Sequence, residues 1–324
     1  MLAELWELEL DFLLLTGDLT QDGEFVNHDW LQARLSALPF PTYVIPGNHD
    51  VPTVASTPST LGLQDFARYY SKFGYDNSDL PYYCREIHPG VRLIGLNSNT
   101  FDADGNQCGR MDEDQLDWLR STLAEPFGGI SIAAIHHNAI DHFPGQSTHI
   151  IGSRYTLDNA PILREILAAA NVRMLFTGHL HVQDVASNGS LYEITTGSTI
   201  GYPHPYRLCH YHSDANEAWL QIDTNRLTSL PHIEDLSTHS RNWIADRSER
   251  YLLKLLVENP VNLSPPEAME LLPQLKYFWA DIAAGDNVFN FPDLPPSVRQ
   301  YCESFGAISE GHPYRIDNHA KLNL

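Results

Sequence analysis

Four short apolar runs, each followed within a few residues by a polar turn that carries a metal-type ligand, constrain this chain more than any other feature. Residues 12–15 run into Thr16-Gly17-Asp18, and residues 42–45 run into Pro46-Gly47-Asn48. Residues 130–135 end at His136, and residues 173–176 end at Thr177-Gly178-His179. Short continuous apolar runs bounded by turn residues read as buried strands. Helical spacing lies between them: at 25–38, with Val26, Trp30, Leu31, Leu35 and Leu38 before Pro39; at 63–73; at 112–123; and at 160–170, with Pro161 in the first turn. Residues 91–96 read as a further strand. Strands alternating with helices predict a layered α/β fold. Ligands in open α/β sheets gather beyond the carboxyl ends of the strands, so Asp18, Asn48, His136 and His179 are expected at one sheet edge.

Beyond residue 190 the texture changes twice. Residues 191–195, 206–212 and 218–223 read as strands separated by turns, predicting a second, partly antiparallel sheet. A polar connection then runs through Pro231, His232, Asp235, Ser237 and Thr238, followed by helical patterns at 249–257, 265–282 and 297–305. The expected organisation is a catalytic domain over 1–228 and a helical C-terminal extension over 229–324. The extension could cover the site or support a homodimer, and the sequence does not choose between them.

Composition excludes several classes. With 43% hydrophobic and 19% charged residues and no apolar run of membrane length, the chain reads as soluble and globular. Its first residues are acidic and amphipathic, without the basic region of a signal peptide. Four cysteines without a C-x-x-C pair exclude a disulfide scaffold and a cysteine zinc site, and suit the cytoplasm. A net charge of −21 argues against a nucleic-acid polymer or an anionic membrane as partner. It leaves a small phosphate ester open, because bound metal ions can supply the local positive charge.

Singly, each polar turn has a plain reading: a tight turn at Gly17-Asp18, a helix cap at Asn48 or Asp50, a core histidine at 136. Together and in order, Gly-Asp-x-x-x-x-Gly at 17–23, Gly-Asn-His-Asp at 47–50, His-His at 136–137 and Gly-His-x-His at 178–181 resemble the calcineurin-like metallophosphoesterase family, over residues 11–223. The flavour of residues 16–23 and 43–50, with Gly197-Ser198-Thr199 and Tyr206-Arg207, is most similar to the bacterial class III cyclic-nucleotide phosphodiesterase branch. The resemblance implies a two-sheet α/β/β/α sandwich and two divalent ions of manganese, iron or zinc. It implies hydrolysis of a small phosphodiester, such as a cyclic nucleotide, by attack of a metal-bound hydroxide. Carried over by position, Asp18 bridges both ions, Asn48, His136 and His179 bind the second, and His181 binds the first. His49 stands over the phosphate as electrostatic stabiliser or proton donor, oriented by Asp50.

Two departures bear on activity. His136-His137-Asn138 replaces the family's His-His-Pro, so His136 is kept as ligand and His137 as a neighbour at the substrate mouth. His142, His149, His204, His210 and His212 have no motif support and are expected at the surface or pocket rim. More seriously, the Asp-x-His element that binds the first ion is absent from the 17 residues before Asp18. The expected fold therefore lacks its first strand, and residues 1–10 read as the helix that would follow it. Three accounts stand open: an N-terminally shortened product, a variant binding one ion only, or a catalytically impaired fold serving as a binding module. The first is favoured, since losing a central strand exposes the edges of its neighbours. Substrate choice is expected to lie in the loops 53–61, 102–110 and 141–154.

Overall fold

The computed structural model describes residues 1–149, 151–308 and 316–324. Its contacts divide the chain into two units, the first comprising residues 1–141, 152–180 and 186–194, the second 142–151, 181–185 and 195–324. Residue 150 of the loop 141–154 and residues 309–315 of the C-terminal extension lie outside the described residues.

The first unit opens with α1 (Leu2–Trp6), β1 (Leu13–Leu15), α2 (Phe25–Leu35), β2 (Thr42–Val44) and α3 (Leu63–Tyr69). It continues through β3 (Tyr83–His88), β4 (Val91–Gly95), the hairpin β5 (Asn99–Phe101) and β6 (Gln107–Gly109), α4 (Glu113–Ala124), β7 (Ile130–Ala134), α5 (Ala160–Ala169), β8 (Met174–Thr177), β9 (Asp184–Ser187) and β10 (Tyr192–Thr195), of which Asp184, Val185 and Thr195 are counted with the second unit. A six-stranded mixed sheet runs in the order β3-β4-β7-β8-β10-β9. β4, β7 and β8 are parallel, which requires crossovers, and α4 and α5 lie in those connections. Leu93, Ile94, Leu96, Ala133, Ala134, Ile135 and Leu175 are wholly buried, as expected of parallel strands covered on both faces. Asp112 starts α4 by accepting the Gln115 N–H at 2.7 Å, one of the helix's otherwise orphaned donors.

β1 and β2 form a separate parallel pair, with Leu13, Leu14 and Leu15 opposite Thr42, Tyr43 and Val44. Among the described residues β1 has no second strand neighbour, and its three leucines are half-buried rather than buried as their apolar run suggests. The five apolar positions of 25–38 do not share one buried face. His28 and Leu35 point inward, whereas Val26 and Trp30 are 71% and 59% exposed. The polar His28 sets this rotation: its ring nitrogens meet the Tyr70 hydroxyl at 2.7 Å and the Asp50 carbonyl at 3.2 Å.

The second unit holds β11 (Pro205–Ser213), β12 (Ala218–Arg226), α6 (Leu236–Val257), α7 (Pro265–Leu271), α8 (Phe278–Ala284), α9 (Pro296–Glu303) and β13 (His319–Asn323). β11, β12 and β13 make an antiparallel sheet in that order. α6 begins well before the apolar pattern at 249–257, because Asp235 accepts the Thr238 N–H at 2.9 Å and starts the helix inside the polar connection. The pattern at 265–282 divides into α7, a 3-10 turn containing Pro273, and α8. Leu252, Leu255, Leu256, Ala268, Leu275, Phe278, Leu294, Val298 and Cys302 bury one helical core. No described helix is long and apolar enough to cross a membrane.

Candidate metal centre

In the first unit the polar turns after β1, β2, β7 and β8 meet. Gly17 and Asp18 both adopt left-handed backbone, with φ of 90° and 54°. A side chain at Gly17 would stand 2.6 Å from His136 Nδ1, and one at Gly47 would stand 2.1 Å from the Asp18 nitrogen. The two turns therefore approach as closely as glycine permits.

Around His136 Nε2 lie Asn48 Oδ1 at 3.1 Å, His179 Nδ1 at 3.1 Å and Asp18 Oδ2 at 3.3 Å. His136 Nδ1–H donates to the Thr16 carbonyl at 2.7 Å, and His179 Nε2–H donates to the Arg154 carbonyl at 3.3 Å. Those bonds leave a lone pair on each facing nitrogen. Two imidazole nitrogens, a carboxylate oxygen and an amide oxygen thus converge with no hydrogen-bond donor among them. Ligands ~2.0–2.2 Å from a divalent ion stand roughly 3–3.5 Å from one another, so the spacing fits one cation. The mixed nitrogen and oxygen set suits a transition-metal ion better than magnesium or calcium.

The electrostatics agree. Burial opposes charge on both partners, yet the Asp18 carboxyl is held well below the usual carboxylate range by His136 and by the His49 N–H. Burial likewise opposes protonation of His136, but the Asp18 carboxylate and the Thr16 carbonyl outweigh it and raise the imidazole. A proton therefore competes with a cation for His136 Nε2. His179 is pushed well below its ordinary value by burial and by His137 and His136.

The remaining expected residues are placed as follows. His49 is partly exposed; its Nδ1–H donates to the Gln21 carbonyl at 2.6 Å, and its backbone N–H donates to Asp18 Oδ1 at 3.0 Å. Asp50 is wholly buried and does not orient the His49 ring. Its Oδ1 accepts the Thr20 N–H at 2.9 Å and its Oδ2 the Gly47 N–H at 2.8 Å, stapling the two ligand turns together. Burial first, and the Asp18 charge second, raise its carboxyl to about 7. His137 is buried rather than at a mouth, its Nδ1 2.7 Å from Ser98 Oγ and its ring centroid 4.3 Å from that of His179. His181 belongs to the second unit, where it is exposed, with φ of 58°. His142 and His204, expected at the surface or pocket rim, are buried in that unit.

Several supporting groups carry no obvious sequence signal. Gln107 on β6 donates both Nε2 hydrogens to backbone carbonyls within and just after the Gly-Asn-His-Asp turn, Asn48 at 2.7 Å and Val51 at 2.8 Å. Asn99 donates to the Pro46 carbonyl at 2.9 Å, and Gln115 exchanges two hydrogen bonds with the Asn97 backbone. Asn97-Ser98-Asn99 follows the end of β4, so the strand-end rule that found the ligands could have flagged it.

A metal must displace the proton on His136, whose raised pKa extends that competition above pH 6.5. Metal affinity is expected to fall up to about tenfold per pH unit below that pKa and to level off above it. In the metal-free protein, depressed His137 and His179 contribute stability that is present above pH 6.5 and lost as pH falls below it. The raised His136 works in the opposite direction. Calorimetric manganese titration at pH 6 and pH 8 checks the first statement; equal affinities would refute it.

Comparison with known proteins points the same way. The family model for calcineurin-like phosphoesterase matches residues 2–183. The chain is 28% identical over 174 residues to a 3′,5′-cyclic-nucleotide phosphodiesterase of Nostoc sp., covering 53% of this chain and 56% of that one. It is 26% identical over 200 residues to the 3′,5′-cyclic adenosine monophosphate phosphodiesterase CpdA of Escherichia coli, covering 60% and 64%. A probable glycerophosphodiester phosphodiesterase GpdQ of Arcobacter nitrofigilis is 26% identical over 177 residues, covering 53% and 56%. The chain spans somewhat over half the length of these relatives. Among solved structures, a dimetal phosphatase from Danio rerio shares the fold, with a TM-score of 0.51 at 14% identity, over 69% of this chain and 84% of that one.

Proposed function

We propose, from the premise that this chain belongs to the calcineurin-like phosphoesterase family, that it is a metal-dependent phosphodiesterase acting on a small phosphodiester such as a cyclic nucleotide. The observation that carries this reading is the convergence of four acceptor atoms, His136 Nε2 with Asn48 Oδ1, His179 Nδ1 and Asp18 Oδ2 around it. Asp18, Asn48, His136 and His179 would hold one divalent ion, of manganese, iron or zinc. His181 keeps the role of ligand to a further ion. Such ions, when bound, supply Lewis-acid activation of water and of the phosphoryl oxygens. The relatives named for cyclic nucleotides and for glycerophosphodiesters both favour a diester over a monoester.

The chain's own residues supply orientation and proton handling. Thr16 and Arg154 fix the tautomers of His136 and His179 through their carbonyls. Asp50 holds the turn bearing His49 against the turn bearing Asp18. His49 is anchored through Nδ1 to Gln21, which leaves Nε2 for the phosphate or the leaving oxygen.

The test is hydrolysis of bis(p-nitrophenyl) phosphate and of cyclic AMP with added manganese, alongside metal analysis of the purified chain. His49→Ala is expected to lower kcat by about 10²–10⁴-fold while metal uptake stays at the wild-type level. Turnover that survives this substitution would remove His49 from the chemistry. A second reading, a catalytically impaired fold used as a binding module, has one observation behind it: among the described residues the first unit gathers ligands for a single ion. One ion per chain with no turnover in either assay would favour it.

A further inference from the structure

We infer that His28 and Tyr70 are positioning residues for the metal centre: together they fix the carbonyl of Asp50 and so hold the turn that bears Asn48 and His49. The inference rests on the reading of Asp18, Asn48, His136 and His179 as one metal-binding set.

His28 lies on α2 in the first unit, and its side chain is wholly buried. A carbonyl can only accept, so its Nε2–H donates to the Asp50 carbonyl at 3.2 Å and its Nδ1 accepts the Tyr70 O–H at 2.7 Å. Burial pushes the imidazole below its ordinary value, which favours this neutral form with one donor and one acceptor. Tyr70 follows α3 directly and is equally buried. Its ring packs on that of Phe66, with centroids 4.7 Å apart, and on that of Phe73 at 5.8 Å. The preceding Tyr69 laces α3 to α2: its hydroxyl donates to the Asp29 carboxylate, and its carbonyl accepts from Gln32 Nε2. The phenol that fixes the His28 tautomer is therefore itself held in place by both helices.

Asp50 is where this support reaches the ligands. The residue is wholly buried, and His28 is the donor that satisfies its carbonyl. Gly23, with φ of 69°, presses on the same oxygen, and a side chain there would stand 2.8 Å from it. Only glycine permits that approach. The Asp50 carboxylate meanwhile accepts the Thr20 and Gly47 N–H groups, one from each ligand turn. Carbonyl and carboxylate belong to one residue, so the seat of the first sets where the second can reach. A shift of Asp50 would move both turns at once, and with them Asn48 Oδ1 and the His49 N–H bond to Asp18 Oδ1 at 3.0 Å. α2 thus offers no ligand of its own, yet it sets the spacing of two. Groups that orient metal ligands are commonly worth about 10–100-fold in affinity, and His28 acts one residue further out, at the low end of that range.

The experiment uses the full chain and two readouts, calorimetric manganese titration and thermal melts of the metal-free protein. Tyr70→Phe keeps the ring and removes only the hydroxyl, which frees His28 to carry its hydrogen on Nδ1 instead. Manganese affinity is expected to weaken about threefold. His28→Leu removes the donor to the Asp50 carbonyl and is expected to weaken it about tenfold. His28→Gln offers a side-chain N–H to that carbonyl and is expected to recover most of the loss. A pair that served the fold alone would lower the Tm of the leucine variant and leave manganese affinity, measured well below that Tm, at the wild-type value. That result would overturn the inference, and a glutamine variant no tighter than leucine would count equally against it. Should His28→Leu fold poorly, Tyr70→Phe decides, and unchanged affinity there overturns the inference. A wild-type chain that takes up no manganese would instead sink the metal-dependent reading on which the inference stands.

Discussion

Replacing Asp18 with alanine is expected to abolish tight binding of a divalent ion and to cost more than about 100-fold in phosphodiester hydrolysis, beyond the loss usual for groups that only support a ligand. Asp18 is the one carboxylate among the converging acceptors, so it alone brings negative charge to offset a divalent cation. Burial works against that charge, and the structure sustains it with His136 on Oδ2 and the His49 N–H on Oδ1. Its removal has traceable effects on neighbours. His136 loses the group that raises it, and Asp50 loses the like charge that adds to burial in raising its carboxyl. Asp18→Asn separates charge from shape. The amide keeps an oxygen for the His49 N–H but not the charge, so metal affinity should fall nearly as far while the fold stays intact. Calorimetric titration of manganese into wild type and both variants decides the matter. An alanine variant with wild-type affinity would move the centre elsewhere.

The ligands were legible because the chemistry of the site is local in sequence. Asp18 and Asn48 follow the parallel pair β1 and β2, and His136 and His179 follow the parallel neighbours β7 and β8. Each stands two to four residues beyond its strand, where the ends of parallel strands lie on one side of their own sheet. What surrounds them was not legible, for a physical reason. The groups that fix the two histidine tautomers are the carbonyls of Thr16 and Arg154, and every residue type has a carbonyl. Asp50 was read as a partner for its neighbour His49, whereas two backbone N–H groups claim its oxygens first. Bonds to backbone donors that the fold brings to this buried carboxyl take precedence over a partly exposed ring. His137 shows the same limit. Adjacency to a ligand suggested the substrate mouth, yet the chain alternates direction past β7 and turns that side chain into the core against Ser98. In the second unit, β13 pairs with β12 from almost a hundred residues away, a contact that local periodicity does not carry.

Substitution of Glu193 should cost the fold several kcal/mol, about 3–5. It lies on β10, wholly buried, and its carboxylate accepts from four donors: Asn138 Nδ2 at 2.8 Å, the Ala139 N–H at 2.9 Å, the Ile140 N–H at 2.6 Å and Thr177 Oγ1 at 2.9 Å. Three of these donors belong to the turn directly after His136-His137, and the fourth is the last residue of β8, two before His179. One side chain therefore ties two ligand-bearing strand ends to a third strand. Glu193→Leu removes every acceptor and leaves buried donors unsatisfied, at about 1–3 kcal/mol for each that cannot find water. A total loss of about 3–5 kcal/mol is expected, seen as a fall in Tm of roughly 10 °C or more for a unit of this size. Glu193→Gln keeps one oxygen but turns an amide NH2 toward donors, so its loss should be intermediate. Because the tie reaches both ligand strands, metal affinity measured below the lowered Tm should also weaken, whereas Asp18→Asn should weaken it without moving the metal-free Tm comparably. Thermal melts of metal-free wild type, Glu193→Leu and Glu193→Gln, paired with manganese titrations, test both halves. A leucine variant that melts with the wild type would show that water or rearranged partners satisfy those four donors, and would end the claim that Glu193 holds the two strand ends in place.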